Sequence, residues 1–357
     1  MPDWNPAEII GKKPKPLALS LYRELITDHI WSQNRLNYGF QDVSQFHLMT
    51  TFFNTPYIDV RVDFNSWIPR GMNKKLQEKL INFYLKKFLR NKHFHDKIEK
   101  EIIYTCYSPS IEKRIRKDLK QILTKYEMSD FISSLKLINN LSYLEKNNDI
   151  KKINSLIQKQ KKIENSDLYY FDKIYWHLEN CKKFGTLPFA GLARCGFIAI
   201  EFLDSFVTEK IFSKKNKSDF LNSIKTISTD IANDYLRLKK TKFLDRYGHL
   251  RPDTYEISSP NYSSGFEKYF QKNNEKYIKK SNFKFSGVQK RKIVNFINKF
   301  NPKMKFNDLI NFIRDSIVQR EYSKFIFSKS IDLIFSNLNL FAKKNHINKN
   351  DLSYLKI

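Results

Sequence analysis

Phe184-Gly185-Thr186-Leu187-Pro188-Phe189-Ala190-Gly191-Leu192-Ala193-Arg194-Cys195-Gly196-Phe197-Ile198-Ala199-Ile200 stands near the middle of the chain and is unlike the rest of it. Lys, Asn and Glu dominate its surroundings, whereas these 17 residues carry one charge, Arg194, and three of the nine glycines. Small side chains at Ala190, Gly191, Ala193, Cys195, Gly196 and Ala199 let a neighbouring backbone or a ligand come close, which a solvated helix does not require. The stretch therefore reads as buried. A buried guanidinium does not shed its proton, so Arg194 needs either an acidic partner, with Glu201 and Asp204 nearby, or an anionic ligand.

Helical periodicity lies on both sides of this stretch. Leu168, Phe171, Ile174, Leu178 and Cys181 predict a helix leading into it, which Gly185 and Pro188 are expected to break before a second helix starts near Ala190. Between Pro109 and about Asn165, Ile111, Ile115, Leu119, Ile122 and Tyr126, then Phe131, Leu135, Ile138 and Leu141, mark further helices. Others are predicted over 17–31, with His29 at its core or boundary, over 73–90, over 218–239, and from about Phe306 to Lys343. One segment changes period. From Pro56 to Pro69, Ile58, Val60, Val62 and Phe64 alternate with Asp59, Arg61, Asp63 and Asn65, the pattern of a half-buried strand. The expected fold class is mainly α, a multi-helix domain with a small β element around residues 56–69.

With 41% hydrophobic and 15% aromatic residues in 357, the chain can bury a large core. Arg194 interrupts the longest apolar run, so no membrane span is expected. The opening Met1-Pro2-Asp3-Trp4-Asn5-Pro6-Ala7-Glu8 has neither the basic start nor the apolar core of a secretory signal. Cys106, Cys181 and Cys195 are odd in number and far apart, which suits reduced thiols and a cytoplasmic location.

Candidate chemistry lies in three places besides Arg194. Asp3, Asn5 and Glu8 are oxygen donors in a proline-broken segment; such hard ligands suit nucleotide-bound Mg²⁺, with Asp3 and Asn5 as metal ligands and Asn5 and Glu8 as cofactor contacts, although the same residues are ordinary loop chemistry. Arg61 belongs either to a solvent-facing strand edge or to the polar wall of a cleft. His249 and Arg251 sit in a Gly-, Pro- and Ser-rich loop from Tyr247 to Pro260, where they could supply a proton-transfer group and an anion clamp, or serve as turn residues. His93 and His95 lack further ligands nearby and make a poor metal site.

Several of these pieces together resemble a family. Asp3-Trp4-Asn5-Pro6-Ala7-Glu8-Ile9-Ile10-Gly11 with Pro16-Leu17-Ala18-Leu19-Ser20-Leu21-Tyr22 resembles the junction after the ATP-grasp domain of phosphoenolpyruvate synthase-like dikinases. Pro56-Tyr57-Ile58-Asp59-Val60-Arg61, Gly185 to Arg194, and Gly248-His249-Leu250-Arg251-Pro252 with Thr254-Tyr255 are similar to the L-glutamine kinase type branch, found with surface-polysaccharide biosynthesis. The resemblance implies ATP and Mg²⁺ in the complete enzyme and a small carboxylate or amide acceptor near Arg61, Arg194, His249 and Arg251. It implies the end of an ATP-grasp-like module over residues 1–16, an α/β connecting region over 17–108 and a helical acceptor-side region over 109–357. The ATP-grasp and phosphohistidine domains would then act as partners, in cis or as separate chains, and this chain alone would be catalytically silent. A basic helical interaction or nucleic-acid-binding protein without catalysis is the alternative.

The net charge of +27 bears on that alternative. Only 14 of the 64 basic residues are Arg, and the Lys is spread along the whole chain rather than gathered at a recognition motif. Duplex DNA is accordingly expected to bind weakly, without sequence preference, and to be lost steeply between low and physiological salt in a fluorescence-anisotropy titration. Sequence-selective binding that survives physiological salt would favour the nucleic-acid reading.

Overall fold

Side-chain caps and prolines set several of the helix starts along a chain that the computed structural model describes over residues 6–270, 281–299 and 301–357. Helices α1 (Pro6–Ile10) and α2 (Pro16–Tyr22) each begin on a proline, whose missing N–H is no loss in a first turn. A π turn, Arg23–Thr27, carries α2 toward α3 (Ile30–Asn37). Strands β1 (Met49–Phe52) and β2 (Thr55–Ile58) pair antiparallel, Thr50 opposite Tyr57. Asp59 then caps α4 (Val60–Ser66), and Asn73 caps α5 (Lys74–Arg90). After a second π turn, Ile98–Ile102, Ser108 caps α6 (Pro109–Asp118), and a Thr124/Glu127 capping box opens α7 (Lys125–Glu164). Helix α8 (Tyr170–Cys181) passes through a third π turn, Lys182–Thr186, into α9 (Leu187–Thr208). There follow α10 (Lys214–Asn222), α11 (Ile227–Arg237), α12 (Lys240–Tyr247), α13 (Phe266–Tyr269), α14 (Gly287–Ile297), α15 (Phe306–Lys344) and α16 (Lys349–Leu352).

The mainly helical class with a small β element holds, but its details are corrected in four places. The strand lies at 49–58, and the alternating stretch from Val60 onward is helix. Val60, Phe64 and Trp67 satisfy helical spacing as well as Val60 and Phe64 satisfy strand spacing; Asp59 decides, accepting the backbone N–H of Arg61 at 2.8 Å and of Val62 at 3.2 Å. Gly185 and Pro188 do not break the helix, because the chain passes the missing N–H of Pro188 in π geometry instead of stopping. His29 is exposed, since the π turn before it shifts the apolar stripe. Helix 218–239 is two helices, parted between Asn222 and Ile227.

Helix α9 lies at the centre, packed by α15, α7 and α3. Its glycines mark where neighbours press closest. A Cβ on Gly185 would lie 2.9 Å from Phe327 Cβ on α15, and one on Gly191 would intrude on the Asp149 carboxylate of α7 and the Tyr38 hydroxyl, which bond each other at 2.7 Å. The helix run Tyr170–Thr208 contains a window apolar enough to cross a membrane, but 78% of that window is buried inside the protein, so it is the core helix of this fold.

Two large apolar clusters make the core, and each draws residues from both sides of position 108. One gathers α5, α6, the first part of α7 and the later part of α9; the other gathers α2, α8, the later part of α7 and much of α15. Along α9, Leu192 belongs to the second and Cys195 to the first, so Arg194 sits where the helix passes from one core to the other.

Gly191→Ala is expected to destabilise the protein by about 1–3 kcal/mol in urea unfolding, through overpacking against Asp149 and Tyr38. Gly287→Ala, where an added Cβ meets nothing within 4 Å, is expected to be close to neutral. Equal effects at the two sites would reject the close-approach role of Gly191.

Candidate functional site

Arg194 is 3% exposed and its anion is a protein carboxylate. Nη1 pairs with Glu99 Oε1, and Nη2 donates to the Thr105 carbonyl at 2.7 Å. Glu99 also accepts the Thr105 hydroxyl at 2.7 Å, which fixes it in place. The partner is neither Glu201 nor Asp204. Those residues lie two to three turns along α9, beyond the reach of a guanidinium; Glu201 instead takes the Ser108 hydroxyl at 2.9 Å, and Asp204 pairs with Lys217. Glu99 comes from the π turn 98–102, in a run of Lys and Glu that reads in sequence as surface.

A second buried arginine stands beside the first. Arg35 of α3, also 3% exposed, lays its guanidinium on Trp67 with Cζ 3.4 Å from the ring centroid, and Arg194 Cζ lies 5.2 Å from the same ring. Among the described residues the Nε and Nη2 atoms of Arg35 have no hydrogen-bond partner, and neither has Oδ1 of the buried Asp63 nearby. Burial pulls the Arg35 pKa down to about 9 against the raising influence of Asp63. Burial, then the charge of Arg35, pulls Arg194 down to about 9 as well. Both remain charged at neutral pH. The available sequence signal was position: Trp31, Arg35 and Tyr38 fall on one helical stripe, and both aromatics are buried.

These arginines face a cavity of about 560 Å³. Phe189, Ala190, Ala193, Arg194, Phe197 and Ile200 form its α9 wall, while Lys97, Lys100, Arg320 and Lys324 add four cations against the carboxylates of Glu8 and Glu99. A second cavity of about 460 Å³ adjoins it, sharing Phe189, Pro252, Thr254, Arg320 and Lys324. That arrangement suits an anionic small molecule.

The remaining predicted residues divide among these places. Glu8 is exposed at the rim of the first cavity. His249 and Arg251 line the second. His249 Nε2 lies 3.1 Å from the Phe325 carbonyl, which can only accept, so Nε2 carries the proton; burial lowers the pKa to about 4 and keeps the ring neutral. Arg251 pairs with Asp332 and stacks on Phe335 at 4.8 Å, so its charge is already matched by the protein. Arg61 is exposed on α4 and lines neither cavity. Asp3 and Asn5 lie outside the described residues. Among the described residues no group of three or more His, Cys, Asp or Glu side chains is placed to hold a metal ion. All three cysteines are buried free thiols, and burial pushes Cys181 and Cys195 up to about 12, away from reactivity.

Comparison of the chain with protein-family models, curated proteins and solved structures finds no match.

Arg194→Ala is expected to cost about 3–5 kcal/mol in urea unfolding, because it leaves Glu99 buried and unpaired. Adding Glu99→Gln is expected to recover part of that loss. A double variant as unstable as the sum of both single variants would exclude the pair as the source.

Proposed function

We propose that the chain is the acceptor-side region of an ATP-dependent phosphotransferase similar to the phosphoenolpyruvate synthase and L-glutamine kinase type, and that the larger cavity receives the acceptor's carboxylate. The supporting observation is Arg35. Among the described residues its Nε and Nη2 are buried without partners beside a cavity, and an unmatched buried donor costs free energy that a bound carboxylate would offset. Arg194 keeps a structural role through Glu99 and lines the same cavity. Resemblance of the Gly185 to Arg194 segment and of the Gly248 to Pro252 loop to that family supports the reaction class.

In this reading Arg35 orients the acceptor, while Lys97 and Lys100 at the cavity wall stabilise charge on an incoming phosphoryl group. ATP, Mg²⁺ and the carrier histidine belong to partner domains or chains, and the reaction is a cytoplasmic one. The acceptor is L-glutamine, pyruvate or another small carboxylate.

Titration calorimetry of the purified chain with L-glutamine and with pyruvate is expected to detect binding of one of them. Arg35→Gln is expected to weaken it about tenfold or more, as for loss of a charge-assisted contact. Arg35→Lys, which keeps the charge and loses the planar grip, is expected to fall between. Thermal midpoints of the variants separate lost binding from lost fold. Binding of neither compound, or equal binding by wild type and a folded Arg35→Gln protein, rejects the proposal.

A further inference from the structure

Arg320 and Lys324 stand one turn apart on α15, where like charges repel, and among the described residues no acidic side chain pairs with either. Two other cations that meet α15 are matched: Arg251 has Asp332, and Lys146 of α7 has Asp315. The fold nevertheless makes room for the pair. A Cβ at Gly196 would lie 3.2 Å from Arg320 Cδ, so the glycine of α9 admits the arginine stem. Both side chains are exposed and line the cavities, and partial desolvation, then the Arg320 charge, lowers the pKa of the Lys324 ammonium. An uncompensated pair of this kind is stabilised by a doubly charged anion.

The pair lines both cavities, at their shared wall. Beyond it the smaller cavity has a mixed lining in which Ile227, Ile231, Leu250 and Phe325 form an apolar wall. The one carboxylate in that lining, Glu321, is engaged by the Ser228 hydroxyl at 3.0 Å. His249 there is neutral with Nε2 committed to Phe325, leaving Nδ1 as an acceptor.

We infer that the smaller cavity is a second ligand site, for a phosphate monoester with an apolar or aromatic body, whose phosphoryl group is held by Arg320 and Lys324. The site is separate from the acceptor contact at Arg35 and does not depend on it. The apolar walls recognise the body; the cation pair recognises the dianion.

Phenyl phosphate and inorganic phosphate serve as probes in titration calorimetry. Wild type is expected to bind phenyl phosphate about tenfold or more tightly than inorganic phosphate, the gain expected from burying most of one ring. Arg320→Gln with Lys324→Gln is expected to weaken phenyl phosphate about tenfold or more, the scale of lost charge-assisted contacts. Ile231→Trp, which fills the apolar chamber, is expected to abolish the advantage of the phenyl group while leaving inorganic phosphate unchanged. The substituted α15 side chains are accessible, and thermal midpoints check that each variant folds. No preference for phenyl phosphate in wild type, or an unchanged affinity in the folded α15 double variant, overturns the inference. Arg35→Gln is expected to leave phenyl phosphate binding unaltered, so the two sites fail or stand separately.

Discussion

Two guanidiniums held inside the protein, Arg35 and Arg194 over the face of Trp67, are the constraint to which the rest of the site answers. Buried charge is tolerated only where partners replace water. For Arg194 the Glu99 carboxylate, the Thr105 carbonyl and the ring faces of Trp67 and Phe197 supply most of that replacement, while its Nε has no hydrogen-bond partner among the described residues. That requirement explains the π turn at Ile98–Ile102, which brings Glu99 inward from a charged run. Arg35 is less well provided for, and the cavity opens against it. Position, charge and incomplete satisfaction coincide in one place.

The central helix packs against its neighbours on one face and lines the cavity with the other. Ala190, Ala193, Arg194, Phe197 and Ile200 recur at three- and four-residue intervals and line the cavity. Gly185, Gly191 and Cys195 meet α15 and α7, where larger side chains would push the neighbours apart. Gly196 is placed between these roles, since it admits the stem of Arg320, whose head reaches the cavity. Small residues therefore set the spacing of the helices, and the helix spacing sets the cavity walls.

Where sequence patterns misled, two periods competed over few residues. Val60, Val62 and Phe64 read as a strand because period 2 fits them, yet Val60, Phe64 and Trp67 fit a helix, and an N-cap from Asp59 tipped the balance. Gly185 and Pro188 carried the ordinary signal for a break, but tertiary burial of both flanking segments kept the helix going through a π turn. The site was legible in one residue and hidden in the others. Arg194 stood out because its neighbours are small and uncharged. Glu99, Arg320 and Lys324 sit among charges that fill solvated surfaces elsewhere in this chain, and nothing local distinguishes them.

By itself the sequence determined the helical class, the burial of Phe184 to Ile200 and the need for an anion opposite Arg194, because composition and periodicity act over a few turns. Only the tertiary structure decided that the anion is Glu99, 95 positions away, that Arg35 shares its aromatic ring, and that Arg320 and Lys324 face an adjoining cavity. Those choices depend on which helices meet and at what distance, and the pairing of remote charges leaves no mark on local spacing.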